Sequence, residues 1–422
     1  MNQSLRIRLI TTLSATLEFY DFTLLIFLAP VMAKTFFPEQ SGVGDVMPVL
    51  MLFFAGYLAR FFGGMLFSHG GDTRGRKRYY LWSIVVMSLS TLGIALLPGQ
   101  SHWGVLAPVC LLVLRIFQGL SLGGEIPGAV VFAAEHCPVN RRGQVTGLII
   151  SGVTFGNVLA TGTVSLLYSA FGETAVYDWA WRLAFVAGSG LGLISFWLRL
   201  ALDETPAFRR LELPEKESWP SRALCRNHGL ELLRGTCLAA VPAVAISVLF
   251  FMPRFQQQYL GFAAETVFSM SFQAFLFLTL VTLLMAVVSD RTGRLPLIRW
   301  GALLMAVGGT LGVYFLVNRQ LTPWNAMLPL LLATAMIMGV YEAAMVELFP
   351  TGIRYSGVAF CHNLAFSLFG GLTPMLLEWF CRMGVLVAPG LLPGLTSLCL
   401  LLLALGWKDR YAIALGNIQT PK

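Results

Sequence analysis

Apolar and polar positions alternate along this chain in blocks rather than residue by residue. Apolar runs of about 20 residues, each long enough to cross a hydrocarbon core, recur between short polar segments. Twelve can be counted, at about 10–33, 47–67, 79–97, 105–133, 144–168, 181–200, 235–258, 265–288, 297–317, 325–347, 356–380 and 389–406. The fourth is longer and carries charges, which predicts a tilted helix or one that projects beyond the bilayer. The first is too long for a secretory signal core and lacks a small-residue cleavage site, so it is expected to stay as the first helix. The pattern predicts an all-α membrane protein.

The runs fall into two sets of six. The expected organisation is a first half at 1–200, an inter-half loop at 201–234 that holds Pro206, Pro214 and Pro220, and a second half at 235–422. Two short elements recur across that division. Gly71-Asp72-Thr73-Arg74-Gly75-Arg76-Lys77 returns, degenerate, as Ser289-Asp290-Arg291-Thr292-Gly293-Arg294, 218 positions later. Glu135-x-x-Pro138-x-x-Arg141-Arg142-Gly143 closes the fourth run, and Glu347-x-x-Pro350-x-x-x-Arg354 closes the tenth, at an offset of 212. Nearly equal offsets indicate a duplicated six-helix unit, of the kind whose halves rock around a central site. Glycine in the first loop permits a tight turn, and Asp72 can accept bonds from helix ends. Arg76 and Arg142 are placed to pair with Glu135 or Asp72 and hold the inner side closed. Asp290, Arg291, Arg294, Glu347 and Arg354 form the corresponding set of the second half. The plain alternative is that these charges anchor loops among lipid headgroups, which suffices for Lys77 and Arg78.

Composition agrees with the pattern. The chain is 56% hydrophobic and 12% charged, against roughly 25% charged in soluble domains. Its 42 glycines suit closely packed membrane helices. With both termini inside, 22 of the 29 Lys and Arg fall on inner segments, and the outer margins hold only Lys34, Arg182, Arg319 and Arg382. That asymmetry sets orientation and accounts for the net charge of +8 without a nucleic-acid partner. The seven Cys form no CxxC and the five His are scattered, so no metal or other cofactor is expected.

The loop at 71–77 resembles the signature of the major facilitator superfamily. More narrowly, the chain resembles its metabolite–proton symporter branch, which includes carriers of proline/betaine, citrate, 2-oxoglutarate and shikimate. The residues that carry this likeness are Glu18-Phe19-Tyr20-Asp21-Phe22, Ala59-Arg60 with Gly63-Gly64, and Arg115-x-x-Gln118-Gly119-x-x-x-Gly123-Gly124-Glu125. Trp181-Arg182, Asp203-Glu204-Thr205-Pro206-Ala207-Phe208, Asp290-Arg291-x-Gly293-Arg294 and Gly371-x-x-Pro374 extend it. Departures are Phe61, where a Pro usually follows the Arg of span two, and Arg254, in a segment usually rich in Tyr and Thr. About 16 residues follow the last run, so the long coiled-coil tail of osmosensing betaine carriers, and regulation through it, are not expected.

Charges within spans persist only with a partner, a wet cavity or a function, since each costs roughly 2.5–3.5 kcal/mol at mid-bilayer. Glu18 and Asp21 share a helical face, and Arg115, Gln118 and Glu125 share another. The economical arrangement is a cavity between spans one and four with Asp21 facing Arg115. Resemblance to sugar–proton symporters, in which such a pair carries the proton, implies proton coupling by Asp21 with Arg115 as partner and Glu18 nearby. A static buried ion pair is the bland alternative, and Glu125 could simply neutralise Arg60. Arg60, Gln118, Glu125, Arg254, Gln257, Tyr341, Glu342, His362 and Asn363 are the candidates for binding substrate. Arg254 could hold a carboxylate or snorkel to the outer interface, and His362 is a second possible protonation site. At the 212 offset Arg115 corresponds to Met327, so proton handling is expected in the first half.

These features suggest a proton-driven importer of a di- or tricarboxylate, a citrate-type chelate such as a carboxylate siderophore, or an amino-acid-like zwitterion. It would act as a monomer in a bacterial-type inner membrane. An exporter usually shows G-x-x-x-G-P in span five, whereas Gly152-x-x-x-Gly156 precedes Asn157 here. A non-transporting sensor would need a sizeable soluble domain.

Overall fold

The structure, a computed structural model, describes residues 3–37, 45–74, 76–135, 137–200, 228–351, 353–411, 413 and 415; side chains up to residue 11, at 67–80 and at 198–200 are outside that description. Every regular element among the described residues is helical. Span one is Gln3–Phe27 bent by 63° into Ala29–Phe36, where Pro30 starts the second segment. Span two is Met47–Arg74, span three Arg76–Leu96, span five Arg142–Ala175 and span six Trp181–Leu200. Span seven is Gly229–Gln258, span eight Ala264–Thr292 and span twelve Ala388–Leu405.

The other four spans are interrupted. Span four is Leu106–Leu122 followed by Glu125–Glu135, broken at Gly123 and Gly124. Span ten breaks at Gly339 and Val340, between Pro323–Met338 and Tyr341–Val346. Span nine runs from Leu295–Leu304 through a π-helical turn, Met305–Gly309, into Thr310–Val317. Span eleven runs from Arg354–Ala365 through another, Phe366–Gly370, into Gly371–Arg382.

Nine stretches of the described residues are long and apolar enough to span alone. One of them, Val139–Trp197, contains spans five and six; bent span one and the shorter Leu81–Leu96 complete the twelve expected from sequence.

The packing of the halves shows the duplication. In the first half span one packs on five and six, three on four and six, and two on four. In the second, seven packs on eleven and twelve, nine on ten and twelve, and eight on ten, which is the same set moved by six. Across the middle, five meets eight and two meets eleven, and these two contacts exchange under that shift. Span seven, whose most apolar window is 89% buried, lies at the centre, whereas the corresponding figure for spans eight and nine is 39%. Leu89, Leu166, Leu280 and Leu402 are among the large side chains left exposed for lipid.

Glycine sets the closest approaches. A Cβ on Gly119 would strike the Gly56 carbonyl, one on Gly63 the Leu120 backbone, and one on Gly123 the Arg60 carbonyl. Spans two and four are therefore in near backbone contact, and that holds Arg60 and Arg115 in place beside each other's helices.

Candidate functional site

Asp21 and Arg115 are both buried, at 1% and 0% exposure, but the expected direct ion pair between them is not formed. The Arg115 guanidinium lies 4.2 Å over the Phe22 ring and 5.4 Å from that of Phe53. Its Nη1 donates to Gln118 Oε1 at 2.9 Å, and Gln118 Nε2 donates to Thr91 Oγ1 at 2.9 Å. Thr91 also lies beside Asp21, but its own hydroxyl proton goes to the Met87 carbonyl of its helix at 3.0 Å. Gln118 and Thr91 thus stand between the guanidinium and the carboxylate. The physical reason is local: Phe22 occupies the open face of Arg115, while Asp21 Oδ1 turns toward Gly188 of span six, where a Cβ would collide with it. Gln118, expected to bind substrate, has both ends of its amide engaged here.

Asp21 Oδ1, Arg115 Nε and Nη2, and the Tyr57 hydroxyl are buried with no hydrogen-bond partner. The Tyr57 ring stands edge-on to Phe22 at 4.9 Å and to Phe53 at 5.0 Å. Glu18 and Glu125 are buried as well, at 6% and 4% exposure.

Arg60 turns to the second half rather than to Glu125. Its Nε donates to Asn363 Oδ1 at 3.3 Å and its Nη2 lies 2.8 Å from His362 Nε2, while Nη1 has no partner. On its other side His362 places Nδ1 2.7 Å from Glu342 Oε1, an approach in ion-pair range that is not aligned as a good hydrogen bond. Asn363 Nδ2 donates to the Gly123 carbonyl at 2.9 Å, where span four is broken. The Tyr341 and Phe366 rings stack on His362 at 6.2 and 4.5 Å. Of the second-half candidates, four therefore converge on Arg60: Tyr341, Glu342, His362 and Asn363.

Arg254 and Gln257 do not join them. Arg254 Nη2 is 3.5 Å from Glu378 and its Nη1 donates to Gln258 at 3.2 Å; Gln257 bonds back to the Pro253 carbonyl of its own helix. Glu378 also takes Arg382 at 3.0 Å, and Arg382 reaches Asp45 of the first half at 2.5 Å. Burial works against the charge of Asp45, but the Met47 amide and Arg382 together hold its carboxyl below the ordinary range. This cluster closes one end of the bundle.

The opposite, Arg-rich end corrects the expected pairing within a half. Arg142 Nη1 meets Glu347 at 2.7 Å, and Arg354 Nη1 meets Glu135 at 2.7 Å. Arg142 and Arg354 each bind the Glu of the other repeat, because the pseudo-two-fold places the start of one repeat's helix against the end of its counterpart. Arg294 adds Asp290 at 2.8 Å and Glu347 at 3.3 Å. Asp290 accepts from the amides of Gly143 and Gln144, both at 2.8 Å, which capture the N-terminus of span five. Arg291 is exposed outside this network. Gly71, Asp72 and Arg76 are helical in backbone, but their side chains, and all of Gly75, lie outside the described residues.

Sequence reasoning missed Thr91, Asp45, Glu378 and the segment after span twelve. Glu378-x-x-x-Arg382 was visible as an i, i+4 pair; Thr91 gave no signal, being one neutral residue in an apolar run. Asp409 Oδ2 accepts from the amides of Arg294 and Leu295 at 2.8 and 3.0 Å. The carbonyls of Ile413 and Leu415 accept from Arg142 and Arg354 at 3.3 and 3.0 Å.

Residues 11–374 match the Major Facilitator Superfamily. The Proline/betaine transporter of Escherichia coli (strain K12) is 31% identical over 383 residues, covering 87% of this chain and 76% of that protein. The Alpha-ketoglutarate permease of the same strain is 29% identical over 359 residues, with 84% and 82% covered. Among solved structures, the proton:xylose symporter XylE bound to 6-bromo-6-deoxy-D-glucose superposes with a TM-score of 0.81 over 98% of each chain. At 18% identity, that likeness is one of fold.

Proposed function

Since the chain belongs to the major facilitator superfamily and is a membrane transporter, we propose that it imports a small carboxylate-bearing or zwitterionic solute together with protons. The observation that carries this is the pair of fully buried guanidiniums, Arg60 and Arg115, neither in an ion pair among the described residues and each with unpartnered N–H groups. Unpaired buried cations are costly, and a carboxylate that accepts from both would satisfy them bidentately. Asp21, whose Oδ1 is also unpartnered, lies across Thr91 and Gln118 from Arg115. It can receive either a substrate ammonium or the coupled proton. Proline, betaine and 2-oxoglutarate, handled by the relatives, all bear carboxylate.

Access alternates when the Arg-rich cluster and the Asp45–Arg382 cluster open in turn. In the bacterial inner membrane the Arg-rich face is then cytoplasmic, and the halves are joined there ahead of Gly229, where span seven begins.

The test is uptake into proteoliposomes, with and without an inward proton gradient, of labelled proline, glycine betaine, 2-oxoglutarate and citrate. At least one is expected to accumulate above equilibrium only with the gradient. Accumulation indifferent to the gradient overturns symport, and failure of the whole panel overturns the substrate class.

A further inference from the structure

The Arg60–His362–Glu342 chain lies between the halves and its hydrogen-bonding logic is constrained. An arginine side chain only donates. Its Nη2 is 2.8 Å from His362 Nε2, so Nε2 must accept, and the neutral ring's own proton is on Nδ1, beside Glu342. A second proton on His362 can bind only at Nε2, where it would face the Arg60 donor. His362 can therefore be protonated or bonded to Arg60, but not both.

We propose that His362 is a proton-operated latch between the halves, in which binding of a proton at Nε2 releases Arg60. The proton, taken from the side with the higher proton activity, occupies the Nε2 lone pair. The Nη2–H···Nε2 bond breaks, Nδ1–H stays beside Glu342, and the imidazolium is balanced by that carboxylate. Arg60 is then free to donate to an anionic substrate. Loss of the Nε2 proton to the other side restores the latch.

The titratable and charged groups around this centre are Arg60 and Tyr57 from span two and Tyr341 and Glu342 from span ten. Cys361, next to His362, is buried against span seven through the Leu232 carbonyl at 3.5 Å. The surroundings suit a moving contact. Span eleven passes into its π-helical turn four residues beyond His362, at Phe366, and π turns gather at functional sites. Ser367, in that turn, donates to the Tyr57 carbonyl of span two at 2.6 Å. The Asp21 network of the first half is a separate set of contacts.

This latch adds regulation to the symport proposed above and rests on it only for the transport step. The primary test uses protons alone. Spin labels go on Met51→Cys and Met383→Cys, exposed residues at the ends of spans two and eleven, in a background with the seven native Cys replaced by Ala. In purified protein the label distance should change between about pH 8 and pH 5, across the ordinary histidine range. His362→Gln, which can accept from Arg60 but cannot be protonated, should hold the alkaline distance throughout. Arg60→Leu should hold the acid distance throughout, so the proposal remains testable if either variant fails to fold.

A pH-dependent distance that survives in His362→Gln, or a wild-type distance indifferent to pH, overturns the latch. Uptake of the same four labelled solutes separates the two claims. Proton-driven uptake that is intact in His362→Gln leaves the symport standing and sinks the latch. A distance switch abolished in His362→Gln, with no solute taken up, supports the latch and sinks the carboxylate symport.

Discussion

A guanidinium enclosed without a carboxylate defines the chemistry at the residue scale. Arg115 has Gln118 and two aromatic rings as neighbours, which solvate a cation partly and leave two nitrogens, Nε and Nη2, for a ligand. A charge-assisted hydrogen bond contributes about 1.5–3 kcal/mol, and each 1.4 kcal/mol is about tenfold in affinity. Arg115→Gln should therefore weaken binding of a carboxylate substrate by about 10–100-fold, measured by calorimetry on the solute found in the uptake screen. Unchanged affinity would remove Arg115 from the binding site. Asp21→Asn tests the carboxylate on the far side of Gln118 and Thr91. It should abolish accumulation driven by the proton gradient yet spare exchange of labelled for unlabelled solute; accumulation at the wild-type level would deny Asp21 the coupling role.

At the scale of elements, much was legible because hydrophobic length and helix are tied in a bilayer. The apolar runs gave all twelve spans, but helices end where capping and packing dictate rather than where lipid ends. Span two continues to Arg74 and span seven starts at Gly229, several residues beyond the apolar runs, into the charged face. The repeated Glu-to-Arg spacing revealed the duplication. It could not reveal that Arg142 chooses Glu347, 205 residues away, over Glu135 nearby. Spacing within a repeat carries no information about exchange between repeats. Asn363 stood out beside His362, but Thr91 was hard to single out, since a neutral polar residue in an apolar run usually bonds to its own helix, as Thr91 does to the Met87 carbonyl. Glycine was legible through composition and through the family motif that holds Gly119, but not through the backbone each one would meet. Gly119 of span four, set against the Gly56 carbonyl, leaves no room for a side chain. Gly119→Val should separate spans two and four and lower stability by at least the 1–3 kcal/mol typical of overpacking. Thermal unfolding in detergent would show it as a lower Tm, and an unchanged Tm would mean that these helices do not pack this closely.

For the whole molecule, the two exchanged pairs of the Arg-rich face are related by pseudo-symmetry but differ in environment. Arg142 and Glu347 are 1% and 3% exposed, whereas Glu135, opposite Arg354, is 34% exposed. Removing one partner of a buried pair costs about 3–5 kcal/mol, while a pair open to water contributes about 0–1 kcal/mol. Glu347 also serves Arg294, which keeps Asp290 at 2.8 Å, so loss of Glu347 leaves Arg142 as the buried cation without its carboxylate. The gate should therefore depend on one pair far more than on its symmetry mate. In a background otherwise free of Cys, Ser289→Cys places a thiol at a fully buried gate position, and its alkylation rate reports opening. Glu347→Gln should raise that rate by at least about tenfold, whereas Glu135→Gln should raise it several times less. Glu135→Arg sets two guanidiniums against each other and should open the gate further; adding Arg354→Glu restores the pair with its ends exchanged and should return the rate toward the parent value. Equal effects of Glu347→Gln and Glu135→Gln would mean that burial does not set the strength of this gate. Failure of the exchanged pair to rescue Glu135→Arg would mean that Glu135 and Arg354 do not act through each other.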